Sequence, residues 1–401
     1  RDNDSYIIKY ERTENLSKQE TEQKGVISAD ILSKENAGCG IQDAHALRKE
    51  NKDNIKYALY QLLVKLTGRT LPWGNLTGIR PAKLAMGMIE SGMKNTEAAR
   101  EMRERYLVSP QKTALAITIA NREREILKDI DYENGYSLYI GIPFCPSICL
   151  YCSFSSYPLK VWEKRTDEYV EALCREVRET ALMMKGRKLD TIYIGGGTPT
   201  TLLPHQIRKL LDTVGEAFGY EGLAEFTVEA GRPDSITREK LMAIREYPVT
   251  RISVNPQTMN QETLDIIGRR HTVEQTKNAF HLARKAGFDN INMDLIVGLP
   301  GEDITKVQHT LDEVKALGPD SLTVHSLAVK RAARLNIFRD KYQEMTFENN
   351  QEIMDLTMKT AYEMGMGPYY LYRQKNMKGN FENVGYAKVD KAGIYNILIM
   401  E

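Results

Sequence analysis

No stretch of this 401-residue chain approaches the roughly 18 to 20 consecutive apolar residues needed to cross a bilayer, and its opening RDNDSYIIKY has no signal-peptide core. No membrane association is expected, and a cytoplasmic location is. An excess of charge is also lacking: 55 Lys and Arg stand against 54 Asp and Glu, a formal net charge of +1, so nothing in the overall balance favours nucleic acid or an anionic surface. Cysteine is scarce, five in all. An odd, clustered set argues against a disulfide framework and for metal binding or redox chemistry in a reducing compartment. What the chain does have is a soluble enzyme's composition, 42% hydrophobic and 27% charged, with length enough for two or three cores. It starts on Arg1 and stops at GIYNILIME, a β-branched, strand-like run with no turn after it, so both ends read as cut from a longer protein.

Residues 1 to about 50 are polar, with a short strand candidate at residues 6–10. The segment NIKYALYQLLVKLTG then sets Ile55, Leu59, Leu62, Leu63 and Leu66 at helical spacing and stops on Gly68. Helical patterns continue in PAKLAMGMIESG and SPQKTALAITIANREREILKDI, joined through the turn-rich TLPWGNLTGIRP, so residues 1–135 are predicted to form a mostly helical domain. From residue 136 the rhythm changes. Apolar strands at 137–142, 191–196, 225–230, 251–256, 290–298 and 321–327 alternate with amphipathic helical patterns such as DEYVEALCREVRETALMM and HQIRKLLDTVGEAF. That predicts an α/β fold over residues 136–330, a parallel sheet covered by helices. Ligands of such sheets lie at the C-terminal strand ends. The notable residues fall there: cysteines after the first strand, GGGTPT after the second, Glu229 ending the third, Gln257 after the fourth and Asp294 within the fifth.

The segment YIGIPFCPSICLYCSF holds Cys145, Cys149 and Cys152. Structural zinc usually takes two short-spaced ligand pairs, and no second Cys or His pair with such spacing accompanies these three, which makes zinc the weaker reading. Three thiolates on one loop can instead each ligate one iron of a 4Fe-4S cluster, leaving the fourth iron to a non-protein ligand. The C-x3-C-x2-C spacing resembles that of the radical S-adenosylmethionine enzymes, in which the open iron binds S-adenosylmethionine. In IGGGTPT, the glycines Gly195, Gly196 and Gly197 with Thr198 leave a strand in a form that lets bare backbone approach a ligand. Alone this is only a turn; after a cysteine triad it looks like the superfamily's segment for the methionine amino group. Cys174, on the face of Val170, Leu173 and Val177, reads as core, and Cys39 as a loop residue.

The resemblance extends further. YIGIPFCPSICLYCSF, YIGGGTPT, NPQTMNQETLDIIGRRHT and INMDLIVGLPGE, in this order, resemble the oxygen-independent coproporphyrinogen III oxidases, most of all their coproporphyrinogen dehydrogenase branch, which also carries LTGIRP and YYLYRQKNMKGNFENVGYA. The resemblance implies a radical SAM partial (β/α)6 barrel over 136–330, behind the helical domain and ahead of an incomplete family-specific region at 331–401. It implies a 4Fe-4S cluster on Cys145, Cys149 and Cys152, and places Tyr139 near the bound cofactor. S-adenosylmethionine would be held by Gly195, Gly196, Gly197, Thr198, Glu229, Gln257, Arg269 and Asp294. A carboxylate suits ribose hydroxyls and an Arg fork suits a carboxylate; outside the resemblance each reads as a polar residue of a barrel rim.

The implied reaction is oxidative decarboxylation of two propionates of coproporphyrinogen III to give protoporphyrinogen IX, with reduced flavodoxin or ferredoxin as electron donor. A substrate with four propionates asks for cations at the barrel mouth, and Arg232, Lys330, Arg331 and Arg334 are the candidates; singly, each arginine reads as a solvated charge. His325, ending the sixth strand, either faces the substrate or is a hydrogen-bonded rim residue, and His271 orients the loop of Arg269. Two positions depart from the best-known oxidases: Gly141 stands where they have histidine, and Phe154, shared with haem-chaperone relatives, where they have a fourth cysteine. Two other functions therefore stand beside the first: a haem chaperone with the same cluster, and a radical methyltransferase or ring-opening enzyme acting on haem.

Overall fold

Six strands of the chain alternate two kinds of residue, and the alternation builds the fold. In a computed structural model, which describes residues 5–16, 19–30, 41–131, 134–154, 156–342, 345, 347–374 and 380–400, they are β1 (Gly135–Ile142), β2 (Lys188–Gly196), β3 (Glu225–Gly231), β4 (Arg251–Val254), β5 (Ile291–Val297) and β6 (Ser321–Ser326). All six pair in parallel in chain order. Residues two apart share a face. One face carries Ile140, Ile192, Phe226, Ile252, Met293 and Leu322, all buried. Helices between the strands, including Thr166–Met183, Pro204–Phe218, Val273–Lys285 and Ile304–Leu317, turn their own apolar sides to the core. The other face carries Tyr139, Tyr193, Glu229, Ser253, Asp294 and His325 and lines the concave side of the curled sheet. This is the parallel sheet that the strand pattern predicted, in the partial (β/α)6 barrel form that the resemblance implied.

Two strands were not anticipated. β7 (Gly367–Tyr372) and β8 (Asn383–Ala387) extend the sheet to eight, in the order β1-β2-β3-β4-β5-β6-β8-β7, with β8 antiparallel to both neighbours. The tail is also corrected. GIYNILIME was read as strand-like, yet Ile394–Leu398 is a short helix. Ile397 is buried with Leu127, Tyr369, Tyr370 and Ala387, and the Glu225 carboxylate, on β3, accepts the N–H of Ile394, satisfying a helix-start donor. β-branched residues favour strands only where strand partners exist.

The chain divides into two compact units, residues 1–78 with 88–114, and residues 79–87 with 115–401. The first holds an antiparallel hairpin, Ser5–Leu16 with Gln19–Asp30, where only residues 6–10 had been expected as strand. Its second strand, QETEQKGVISAD, has no clean apolar alternation to announce it. The long helix Ile41–Thr67 ends as expected on Gly68, at φ 66°, whose N–H reaches the Val64 carbonyl at 2.8 Å. Cys39 lies outside the described residues. In the second unit, Arg122 donates to the carbonyls of Gly367, Ala387 and Lys388, tying its helix to the sheet edge. No helix among the described residues is long and apolar enough to cross a membrane.

Candidate cluster and cofactor site

The loop leaving β1 is tied down at several points. Leu150 is buried among Leu264, Ile267, Ile296, Leu299, Leu327 and Leu335. Its N–H donates to the Ile267 carbonyl at 2.9 Å, its own carbonyl accepts from Leu335 at 2.8 Å, and Ser147 Oγ donates to the Gly268 carbonyl at 2.8 Å. Held this way, Cys145, Cys149 and Cys152 line one cavity of about 750 Å3 together with the inward side chains of the strands. Cys145 Sγ lies 3.6 Å from Thr198 Oγ1, Cys149 Sγ accepts from Arg232 at 3.7 Å, and Cys152 Sγ lies 3.9 Å from Ser156 Oγ. Cys174 is fully buried in its helix, away from this cavity, as its apolar face implied.

The glycines of IGGGTPT act first through packing. Gly196 has φ 108°, in the region that favours glycine. A Cβ on Gly197 would lie 2.6 Å from the Phe144 carbonyl oxygen and 2.9 Å from that of Ile142. The turn is thus pressed against the strand exit where the cysteine loop begins. Gly196, Gly197 and Thr198 line the cavity, while Gly195 packs against the Tyr193 ring and the Glu229 carboxyl. Gly197→Ala is expected to push backbone against backbone, lowering stability by about 1–3 kcal/mol and reducing iron retained after reconstitution. Unchanged melting temperature and iron content would show that the loop gives way freely.

The same cavity carries a polar patch. Tyr193 donates to Glu229 Oε1 at 2.5 Å, and burial pushes the Glu229 carboxyl up to about 7. Asn292 donates to Asp294 Oδ1 at 2.7 Å. β4 breaks after Val254, and Gln257 rejoins β5 by a single bridge to Leu295 at φ 69°. Arg269 Nη1 donates to the carbonyls of Asn255 and Pro256 at 2.5 and 2.9 Å. Four atoms of this patch, Ser253 Oγ, Asn255 Oδ1, Gln257 Oε1 and Arg269 Nε, are buried without a hydrogen-bond partner among the described residues. Such groups cost about 1–3 kcal/mol each when left unmet, so the patch has the chemistry of a site for a polar ligand.

A family model described as Radical SAM superfamily matches residues 139–314. Over 401 aligned positions, 96% of this chain and 79% of the relative, the sequence is 40% identical to the oxygen-independent coproporphyrinogen-III oxidase-like protein HemZ of Bacillus subtilis. The chain belongs to the radical SAM family of oxygen-independent coproporphyrinogen III oxidases and their relatives. The heme chaperone HemW of Bacillus subtilis is 39% identical over 195 residues, 48% of this chain and 51% of the chaperone. Among solved structures, the radical SAM coproporphyrinogen III oxidase HemN of Escherichia coli superposes with a TM-score of 0.55 at 27% identity, covering 67% of this chain and 58% of that one.

The radical SAM family uses a 4Fe-4S cluster and S-adenosylmethionine, and the residues present fit both. Three thiols lining one cavity suit a group in which each takes its own iron. Burial raises the thiols of Cys145 and Cys152, so a bound metal's charge is what would keep them as thiolates. The four unmet polar atoms suit a ligand with a carboxylate, an amine and ribose hydroxyls.

Of the other residues singled out in this radical SAM chain, Tyr139, Glu229, Gln257, Arg269, Asp294, His325 and Lys330 all line the cavity. His325 therefore faces it, Nδ1 3.4 Å from the Tyr372 hydroxyl, its pKa lowered by burial. His271 is buried beside Asp234, and burial and the charge of Arg269 lower it to about 3. The three arginines expected at the substrate differ in placement. Arg331 and Arg334 are exposed and do not line the cavity; Arg334 lies over the Phe338 ring at 5.7 Å. Arg232 lines the cavity, is 3% exposed, and has its fork engaged by Asp234 and Ser147. Sequence reasoning also missed Tyr193 and Tyr395, which stack at 4.5 Å between ring centroids, with Tyr139 6.0 Å from Tyr193. The two-residue spacing of Tyr193 and Gly195 in TIYIGG would have found the first; nothing signalled the second.

Proposed function

We propose that this chain is a radical SAM enzyme of haem biosynthesis that oxidatively decarboxylates two propionates of coproporphyrinogen III, giving protoporphyrinogen IX. One observation carries the reading: three thiols, a patch of unmet polar atoms and a tyrosine wall meet in one cavity, in a chain 40% identical to a coproporphyrinogen oxidase-like relative. Cys145, Cys149 and Cys152 would hold three irons. Gly196, Gly197 and Thr198 would meet the methionine amine of S-adenosylmethionine, Arg269 its carboxylate, and Glu229, Gln257 and Asp294 its ribose. When bound, the two groups supply one-electron chemistry able to take a hydrogen atom from an unactivated carbon.

The chain's own part is to orient the substrate and exclude water. Tyr139, Tyr193 and Tyr395 give a stacked aromatic cluster in the cavity against which a tetrapyrrole would pack. Lys330 lines the cavity, where it would meet a propionate. Lys330→Ala is expected to raise the KM for coproporphyrinogen roughly tenfold, the scale of a lost charged hydrogen bond, while Arg331→Ala with Arg334→Ala leaves it near the wild-type value. Steady-state kinetics decide between them, and a raised KM in the arginine double variant alone would return the clamp to the residues first expected.

The direct test of the reaction is anaerobic turnover of coproporphyrinogen III with S-adenosylmethionine and dithionite, or reduced flavodoxin or ferredoxin, following carbon dioxide and vinyl products. A second reading, haem binding without decarboxylation, is favoured by Phe154, which lines the cavity yet is 74% exposed, and by the 39% identity to a haem chaperone. Stable haem binding with no carbon dioxide released would establish it.

A further inference from the structure

Arg232 lines the cavity, and its guanidinium is held between Asp234 and the cysteine loop. Nε and Nη2 donate to the two carboxylate oxygens of Asp234 at 3.0 and 2.7 Å. This two-point pairing fixes the plane of the fork. The remaining nitrogen, Nη1, then points into the loop, donating to the Ser147 carbonyl and Oγ at 3.1 and 2.8 Å and to Cys149 Sγ at 3.7 Å. Ser147 lies between Cys145 and Cys149, so one nitrogen both ties the middle of the loop and touches a thiol. The charge on that nitrogen is permanent, and the side chain is only 4% exposed, so water screens it weakly.

We propose that Arg232 raises the reduction potential of the cluster held by Cys145, Cys149 and Cys152. Reduction adds one electron from an external low-potential donor, with no bond made or broken in the protein, and the added negative charge spreads onto the cysteine sulfurs. A buried cation donating to one of those sulfurs stabilises the reduced cluster more than the oxidised one. Asp234, on the far edge of the guanidinium, works in the opposite sense by offsetting part of its charge. Arg232 is thus a positioning residue for the cluster. The inference rests on the ligation of the cluster and not on the identity of the substrate, so its failure would leave the decarboxylation reading standing.

Opposite signs make the test. The full chain is reconstituted anaerobically, and the potential is read by titration with dithionite while the paramagnetic signal of the reduced cluster is followed. Arg232→Gln keeps a side-chain donor but loses the charge, and is expected to shift the potential to more negative values, with a reduced-to-oxidised ratio about tenfold lower at fixed solution potential, or about 59 mV for a one-electron couple. Asp234→Asn leaves the arginine charge unopposed and is expected to shift the potential to more positive values. A purely structural clamp on Ser147 predicts no such opposition. An unchanged potential in Arg232→Gln would overturn the proposal. Should that variant fail to retain its iron, Asp234→Asn decides alone: a positive shift supports the proposal, and an unchanged or negative one overturns it.

Discussion

Replacing Cys145, Cys149 or Cys152 with Ala is expected to abolish cluster retention in each case, while Cys174→Ala leaves iron and sulfide content at the wild-type level. The four thiols differ in placement more than in chemistry. The first three share the walls of one cavity on a loop fixed by Leu150 and Ser147. Removing any one leaves two protein ligands for a group built on three, and no spare Cys or His among the described residues lines the cavity near the gap except His325, at the far end of the strand layer. Cys174 is buried within the helix Thr166–Met183, where its Sγ donates to the Lys209 carbonyl at 3.9 Å. Its loss removes a small buried group, a cost of about 1 kcal/mol, and nothing that touches iron. Iron and sulfide analysis after anaerobic reconstitution gives the answer. About four irons kept by Cys152→Ala would remove it from the ligand set.

How much of this was legible in the sequence depended on whether the cue was local. The six parallel strands were legible because each buries apolar residues on one face at a spacing of two, and the helices between them show their own period. The cysteine loop was legible from spacing alone. β7 and β8 are not legible as strands, because NVGYA takes its place from β6, far away in sequence, and PYYLY takes its place from NVGYA. The same is true of Ile394–Leu398, where Glu225, on β3, meets the helix start and overrides the strand preference of an isoleucine-rich run. Arginines were the least legible. Arg232, Arg331 and Arg334 all sit in segments near the strand ends, and residue type cannot say which way a guanidinium turns. The first finds Asp234 and a cysteine loop more than eighty positions away, while Arg334 finds the neighbouring Phe338 ring. Lys330, one position before Arg331, is the cation of that loop that lines the cavity.

Glu229→Gln is expected to weaken S-adenosylmethionine binding and, in the same protein without ligand, to raise stability above neutral pH. Burial holds the Glu229 carboxyl at about 7, against an ordinary value of 4.5, with Asp294 adding to the rise and the Tyr193 hydroxyl opposing it. A carboxyl raised on folding stabilises the folded state only while protonated in both states. Its contribution is full below pH 4.5, falls as the unfolded chain ionises, and reaches its lowest level once pH passes 7; the difference amounts to up to about 3 kcal/mol. Glutamine does not ionise, so the variant's advantage should be near zero at pH 4.5, grow through the range between 4.5 and 7, and level off above it. Its amide oxygen can still accept from Tyr193, which keeps the local bond. For the ligand the sign reverses. A carboxylate accepting ribose hydroxyls loses roughly 1.5–3 kcal/mol of binding when its charge is removed, read by titration calorimetry under nitrogen with the cluster in place. Gains in empty-site stability alongside losses in affinity are what a site held under strain for its ligand predicts. Unchanged affinity would take Glu229 out of the ribose site, and a stability difference that does not vary with pH would show that the carboxyl titrates normally.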